Sequence, residues 1–241
     1  MPTKWYESEV ISIKTLSPQT KEFVLKVSEE EIFSFLPGQF VTMDLPLGEK
    51  RYQRWRSYSI ANAPNQKNLL EFCIVRFEDG LGSCYFHDVV KKGDIIKWKG
   101  PDGGFVLPEN NTGPLILIST GTGIAPFRSM LQDLFSRDAF IPPIHLIFGT
   151  RKEEDILYGD ELEYYSKRYP EFSYSITLSR EKKPGFIHGY VHEVYMNRDY
   201  NIPDDALIYL CGWSKMIDQA VELLLLRKKV RRDQIKYELY G

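Results

Sequence analysis

One segment near the middle of the chain limits the fold more than any other. Residues 115–119 form a short, almost wholly apolar run, Gly121, Thr122 and Gly123 follow it, and residues 127–135 then carry apolar side chains at helical spacing. A short apolar run is typical of a strand that is buried on both faces of a parallel sheet. The segment therefore predicts a strand, a tight glycine turn and a helix within an α/β domain.

The pattern differs on the two sides of residues 108–114, which are all turn formers or polar residues. The earlier part carries six short β-like stretches separated by turns, and this spacing predicts a small antiparallel barrel. The stretches are residues 9–14, 20–27, 40–45, 56–61, 70–77 and 94–100, with one helix candidate at residues 82–90. The later part alternates strands with helices, as in a parallel sheet with crossover helices. We therefore predict two domains, residues 1–108 and 114–241.

Composition excludes several classes of function. The 241 residues carry 31 Lys and Arg against 33 Asp and Glu, a net charge of −2, so no global field favours nucleic acid. Cys73, Cys84 and Cys211 lack the paired spacing of zinc or iron–sulfur ligands, and no metal site is predicted. No apolar stretch approaches the ~18 residues of a membrane helix, and the expected location is the cytoplasm.

The glycine turn in the later part predicts a dinucleotide site. Glycines between a buried strand and a helix let backbone N–H groups approach phosphate oxygens, and Pro126 lacks only an N–H that the first helical turn does not use. An NAD-type site expects a carboxylate at the end of the next strand, where this chain has Arg151. Arg180 follows a further strand, and two guanidinium groups suit a 2′-phosphate, which favours NADPH. The alternatives are a tight turn without a ligand and exposed loop charges, the latter above all for Lys182 and Lys183.

The earlier part contains two candidate flavin contacts. Alternation along a strand places Arg56 and Tyr58 on one face, where an arginine can pair with a pyrophosphate and a tyrosine can pack on a flavin ring. Gly82 and Ser83 open the helix candidate and offer a second phosphate contact. Taken singly, a core tyrosine and a loop with a capping serine remain alternatives.

Together these residues resemble the ferredoxin-NADP reductase superfamily, over essentially the whole chain and in the order of its motifs. The resemblance implies that Arg56 binds the FAD pyrophosphate, Tyr58 the flavin face, and Ser59 lies near flavin N5. It also implies a second FAD strand with Cys73, Ile74 and Val75, and a phosphate-binding helix start at Gly82 and Ser83.

In the later part the resemblance implies an NADP(H) site and a closing chain end. The pyrophosphate loop would comprise Gly121, Thr122, Gly123 and Pro126. The 2′-phosphate would meet Ser179 and Arg180, with Arg151 beside them, and the adenine would meet Tyr190. Cys211, Gly212 and Met216 would lie at the nicotinamide, and Glu238 and Tyr240 would close the active site. Gly241 follows the tyrosine, which leaves the stacking of Tyr240 on the flavin open, and a frayed tail is the alternative.

The expected fold is an N-terminal antiparallel Greek-key β-barrel with one helix, followed by a C-terminal α/β doubly wound parallel sheet. The expected function is hydride transfer from NADPH to FAD and then single-electron transfer to a protein such as ferredoxin or flavodoxin. Ser59, Cys211, Glu238 and Tyr240 are the expected catalytic residues. Alternatives are the NAD(P)H reductase component of an oxygenase or b5-type system, a free-flavin reductase, and a non-catalytic nucleotide-binding subunit. Basic residues 50–56 or 227–232 could steer an acidic partner, with a solvated helix end as the alternative for 227–232, and the oligomeric state is not indicated.

Overall fold

A computed structural model describes residues 4–29, 31–137 and 139–240, so Gly241 lies outside the described residues. The chain divides into two compact units. One contains the described residues up to Leu107 together with Ala125–Arg137, and the other contains Pro108–Ile124 and the described residues from 139 onward. The domain limits 1–108 and 114–241 stay a prediction.

The first unit is built on an antiparallel six-stranded sheet. Its strands are β1 (Trp5–Ser17), β2 (Thr20–Val27), β3 (Phe40–Asp44), β4 (Trp55–Ser59), β5 (Leu69–Val75) and β6 (Ile95–Asp102). They lie in the order β4-β3-β6-β1-β2-β5, and every neighbouring pair is antiparallel. Just beyond β4, the N–H of Ala61 donates to Glu71 O of β5 at 2.8 Å, which links the two outer strands. The predicted antiparallel barrel is confirmed.

Aromatic side chains fill the core of this unit. Trp98 is fully buried, and its indole Nε1–H donates to Ser8 Oγ at 2.8 Å, which satisfies the only polar atom of that side chain. Two helices lie between strands of this sheet: α1 (Arg51–Arg54), a single turn that the sequence pattern did not predict, and α2 (Leu81–Asp88). On α2, Phe86 is fully buried and packs edge-on against Phe23 with ring centroids 5.0 Å apart.

The first unit also holds a helix that follows a strand of the other unit in sequence. This helix, α3 (Ile124–Ser136), bonds to the segment after β4. Arg128 Nη1 donates to Ala61 O at 3.1 Å and to Glu71 Oε2 at 2.5 Å, and Ser129 Oγ donates to Asn62 O at 2.7 Å. The residues directly after Ser59 are thus held by buried polar groups of α3.

The second unit is built on a parallel six-stranded sheet. Its strands are β7 (Leu115–Thr120), β8 (Ile144–Thr150), β9 (Phe172–Leu178), β10 (Ile187–His188), β11 (Leu207–Trp213) and β12 (Ile235–Tyr240). They lie in the order β10-β9-β8-β7-β11-β12, all parallel, and the helices in this half are α4 (Gly159–Arg168), α5 (His192–Tyr195) and α6 (Ser214–Leu226). The order reverses between β7 and β11, which confirms the doubly wound arrangement. Ligands of such sheets bind beyond the carboxyl ends of the strands at this reversal.

Two kinds of feature are absent from the described residues. In the part of the chain that the structure describes, no helix is both long enough and apolar enough to cross a membrane. Among the same residues, no group of three or more His, Cys, Asp or Glu side chains lies close enough together to hold a metal ion.

Candidate functional site

The glycine turn after β7 packs directly against the end of β11. Gly121, Thr122 and Gly123 form one 3₁₀ turn, and Gly121 has φ +53. A Cβ added to Gly123 would lie 2.3 Å from Cys211 O and 2.8 Å from Gly212 Cα, so only glycine allows this approach of two backbones. Pro126 is the third residue of α3, where its missing N–H costs no helical bond. Two motifs that are about 90 residues apart in sequence therefore meet.

A polar corner forms where β11 and β12 run side by side. The register pairs Cys211 with Glu238 and Trp213 with Tyr240. In a parallel sheet, residues paired in this way project to the same face. The last residues described thus form a regular edge strand, and the frayed-tail alternative is wrong.

The thiol of Cys211 is kept neutral by its surroundings. Cys211 is fully buried, and burial raises its pKa well above the usual value. The negative charge of Glu238 raises the pKa further, while the nearby side chain of Tyr240 acts in the opposite direction. A neutral thiol is a poor nucleophile, so this side chain can shape a pocket but is not poised for covalent catalysis.

The arginines predicted to bind a 2′-phosphate are neighbours. Arg151 follows β8 and Arg180 follows β9, and the Arg180 N–H donates to Arg151 O at 2.9 Å. Beside them, Ser179 N donates to Thr150 O at 3.0 Å. Neither guanidinium group forms a hydrogen bond or ion pair with any residue that the structure describes. Two unpaired cations at one sheet edge are suited to an anion.

The acidic side chains of the same edge are already engaged. Glu181 accepts a hydrogen bond from the Glu153 N–H at 2.9 Å, and Glu153 is ion-paired with Lys183. Lys183 is thus neutralised by a carboxylate, as an exposed loop charge would be. Tyr190 follows β10, the next strand of the sheet, and its side chain is 68% exposed. An aromatic ring therefore stands exposed beyond the strand that adjoins β9.

The flavin-site residues of the first unit meet at the start of α2. A Cβ added to Gly82 would lie 2.9 Å from Arg56 Cγ and 3.0 Å from the Tyr58 hydroxyl, which confirms that Arg56 and Tyr58 share a face of β4. Burial raises the pKa of Tyr58 far above its usual value, and the ring meets Phe86 edge-on at 5.4 Å. Arg56 Nη1 donates to two backbone carbonyls of the preceding segment, at 2.8 and 3.0 Å.

The remaining flavin-site residues serve mainly to hold the local backbone. Ser83 Oγ accepts from Phe77 N at 3.0 Å and donates to Gly80 O at 2.9 Å, so its hydroxyl stabilises the turn before α2. The N–H groups of the first three residues of α2 have no acceptor within the helix and remain available to an anion. Cys73, Ile74 and Val75 lie on β5, and Ile74 O accepts a hydrogen bond from His87 of α2 at 2.8 Å.

The structure adds information on two further residues: Met216, which was predicted to contact the nicotinamide, and Trp213, which was not predicted as a site residue. Met216 lies in the first turn of α6 and is buried in the apolar core of the second unit. Its predicted cofactor contact stays a prediction. Trp213, half-exposed at the carboxyl end of β11, was missed, although a large aromatic directly after Cys211 and Gly212 was a usable signal.

The residues present fit the two dinucleotide cofactors. A Cβ added to Gly123 or to Gly82 would collide with a neighbouring residue of the candidate site. The guanidinium groups of Arg151 and Arg180 have no ion-pair partner among the described residues. Comparison with known proteins agrees. Residues 7–107 match the model of the oxidoreductase FAD-binding domain, and residues 117–222 match that of the oxidoreductase NAD-binding domain. Ferredoxin–NADP reductase B of Sorangium cellulosum is 32% identical over 98% of this chain and 97% of its own length.

The chain belongs to the ferredoxin-NADP reductase superfamily. It is a flavoprotein oxidoreductase that uses FAD and a nicotinamide dinucleotide. The toluate 1,2-dioxygenase electron transfer component of Pseudomonas putida is 29% identical, and the chain spans 68% of it. The chain spans 60–64% of several other oxygenase components that it matches. The cytochrome P450 reductase GcoB of Amycolatopsis shares the fold, with a TM-score of 0.88, 24% identity, and coverage of 99% of this chain and 70% of that one.

Proposed function

We propose that this member of the superfamily takes hydride from NADPH and passes single electrons to a small electron-transfer protein, a ferredoxin or a flavodoxin. Residues 1–108 are proposed to bind FAD and residues 114–241 to bind NADP(H). When bound, FAD accepts the hydride and releases electrons one at a time. The observation that carries the choice of NADPH is the unpaired arginine pair at the ends of β8 and β9.

The arginine pair supports a 2′-phosphate for an electrostatic reason. Arg151 and Arg180 carry exposed guanidinium groups at neighbouring strand ends, and a phosphate dianion could accept charge-assisted hydrogen bonds from both. A ribose that carries only hydroxyl groups would not. The hydroxyl of Ser179 lies at the same strand end, where it donates to Thr150 O at 3.3 Å and is proposed to turn to the phosphate when the coenzyme binds. The exposed ring of Tyr190 stands beyond the neighbouring strand and is proposed to contact the adenine.

In the first unit, FAD is proposed to bind along β4 and the start of α2. Arg56 would pair with the pyrophosphate, the open N–H groups of Gly82 and Ser83 would bind the same group, and Tyr58 would pack on the ring system. Ser59, the last residue of β4, is proposed to lie close to flavin N5 and to form a hydrogen bond there.

In the second unit, Cys211 and Glu238 are proposed to line the nicotinamide pocket. A neutral thiol beside a carboxylate offers a small polarisable wall and one hydrogen-bond acceptor without placing a nucleophile next to the coenzyme. Tyr240 contacts the same thiol through its side chain and is proposed to yield when the nicotinamide binds.

The proposed acceptor is an acidic protein, because the outer face of the barrel is basic and aromatic. The rings of Trp5 and Trp55 lie 5.5 Å apart. Lys99 Nζ lies 4.3 Å from the Trp55 ring, the Arg51 guanidinium 5.1 Å from the same ring, and Lys97 Nζ 5.5 Å from Trp5. Cations held over rings keep their charge exposed to a partner. An oxygenase component is the second candidate acceptor, favoured by the similarity to the toluate dioxygenase component.

The decisive experiment compares NADPH with NADH. The FAD-loaded wild type should bleach its flavin absorbance with NADPH in the absence of oxygen, and it should have the higher kcat/KM for NADPH. The double variant Arg151→Ala/Arg180→Ala should lose at least about 150-fold in kcat/KM for NADPH, since it removes two charge-assisted bonds that each contribute roughly 1.5–3 kcal/mol. Its kcat/KM for NADH should change less than twofold.

A matched control removes two positive charges elsewhere in the same unit. Lys167→Ala/Arg168→Ala changes the carboxyl end of α4, where both side chains are exposed. This variant should keep the wild-type ratio of NADPH to NADH activity. Equal losses for both coenzymes in the Arg151/Arg180 variant would contradict the 2′-phosphate assignment.

A further inference from the structure

The carboxyl end of β11 carries a large aromatic side chain, Trp213, to which the proposed function assigns no role. Trp213 is the last residue of β11, and its side chain is 50% exposed. Exposing an indole gives up the free energy that its burial would provide, roughly 2 kcal/mol for a large apolar side chain. Single exposed apolar residues are common, so its position must carry the argument.

The backbone of Trp213 is held in place from two directions. Its N–H donates to Thr120 Oγ1 at 3.3 Å, and Thr120 is the residue directly before the glycine turn. The preceding Gly212 has φ +135, and a Cβ there would lie 2.4 Å from the same Thr120 oxygen. On its other side Trp213 is paired in register with Tyr240. The indole therefore projects from a rigid point that is tied to the phosphate loop.

The strand order determines which half of a dinucleotide reaches this point. The 2′-phosphate arginines lie at the ends of β8 and β9, and the exposed Tyr190 lies beyond β10. The glycine turn for the pyrophosphate follows β7. Neighbouring strands are about 4.8 Å apart, so a dinucleotide that crosses these ends from β9 to β7 continues to β11. The half that arrives at β11 is the nicotinamide half.

We propose that Trp213 binds the nicotinamide half of the coenzyme, with the indole face packed against the pyridine ring or its ribose. This proposal rests on the proposed function, because the direction of the dinucleotide depends on the 2′-phosphate site. The indole offers a flat apolar surface, and its negative face attracts the positive charge of the oxidised pyridinium. The residue thereby contributes affinity for the half of the coenzyme that reacts.

The test compares a ligand that has this half with one that lacks it. Binding of NADP⁺ and of 2′-phospho-AMP to the oxidised FAD-loaded protein is measured by isothermal titration calorimetry. Trp213→Ala should raise the Kd for NADP⁺ about tenfold, equivalent to about 1.4 kcal/mol, and leave the Kd for 2′-phospho-AMP within twofold. Trp213→Phe, which keeps a ring, should recover most of the NADP⁺ affinity.

Tyr164→Ala is the matched control, because Tyr164 is an exposed aromatic of α4 in the same unit. It should bind both ligands as the wild type does. An unchanged NADP⁺ affinity in Trp213→Ala would overturn the proposal. An equal loss for 2′-phospho-AMP would also overturn it, since the indole would then act only through the phosphate loop.

Failure of the proposed function has a different signature. If the wild type binds NAD⁺ better than NADP⁺, the 2′-phosphate assignment is wrong, whatever the Trp213 variants do. The same variants are then titrated with NAD⁺ and AMP. A tenfold loss for NAD⁺ alone supports the role of Trp213, and no loss overturns it.

Discussion

Replacing Gly123 by alanine should disable the dinucleotide site while leaving the fold intact. The added Cβ would lie 2.3 Å from Cys211 O and 2.6 Å from Cys211 C. All the atoms it meets belong to backbone, so no flexible side chain can move aside. The turn and the end of β11 must separate by about 1 Å before the contact becomes ordinary.

The size of this separation sets the expected losses. Overpacking of this kind costs roughly 1–3 kcal/mol, which for a chain of this length lowers the unfolding temperature by about 4–8 °C for each 2 kcal/mol. A displacement of about 1 Å at a site that positions reacting groups costs on the order of 100-fold in rate. We therefore expect Gly123→Ala to reduce the rate of flavin reduction by NADPH about 100-fold, and to raise the Kd for NADP⁺ at least tenfold.

Alanine variants of two other glycines distinguish this steric clash from a general effect of replacing glycine by alanine. A Cβ on Gly121 would meet nothing within 4 Å, but its φ of +53 makes alanine strained by about 1–2 kcal/mol. A Cβ on Gly104 would also meet nothing within 4 Å, without a positive φ, so Gly104→Ala should leave binding and reduction unchanged. Stopped-flow reduction, calorimetric titration with NADP⁺ and thermal unfolding measure the three quantities. If Gly123→Ala binds NADP⁺ within twofold of the wild type, or if Gly121→Ala is the more damaging, the steric argument is refuted.

Three further predictions concern stability and FAD binding. Arg128→Met leaves two carboxylates without their shared cation, Glu71 at 2.5 Å and Glu22 at 3.8 Å, whose side chains are 24% and 12% exposed. It should cost about 3 kcal/mol in thermal unfolding, and Glu71→Gln in the same chain should recover part of this, because Glu22 still lacks the Arg128 cation; a loss under about 1 kcal/mol would contradict this. The raised pKa of Cys211 contributes stability that is present below the unfolded pKa near 9 and lost as the pH rises above it. Cys211→Ala should reduce this alkaline loss of unfolding free energy by up to about 1.4 kcal/mol per pH unit, measured by denaturant titration at several pH values. Equal slopes of unfolding free energy against pH in the variant and the wild type would count against it. Gly82→Ala places a Cβ 2.9 Å from Arg56 Cγ and should raise the Kd for FAD about tenfold in fluorescence titrations. An equal Kd for FAD in the variant and the wild type would refute the placement of the pyrophosphate.

The class of each half followed from local patterns. The apolar run before Gly121 and the alternation along β4 are properties of neighbouring residues, and burial on one face or two leaves a direct trace in such patterns. Thr20–Val27 was located to the residue, and the turn at Pro18 and Gln19 lies directly before it. The cofactor motifs were readable for the same reason, since a phosphate loop needs its glycines within a few residues of one strand end.

Contacts between distant segments were beyond the reach of the sequence. Three such contacts depend on how strands and helices pack. They are the register that pairs Glu238 with Cys211, the backbone hydrogen bond from Arg180 to Arg151, and the hydrogen bonds from α3 to the residues after Ser59. A one-residue slip of β12 would move Glu238 to the other face without altering any local pattern. Local chemistry along the chain thus determined which cofactors this protein can hold, while packing of remote segments decided which side chains stand together, because register and neighbourhood are properties of the whole sheet.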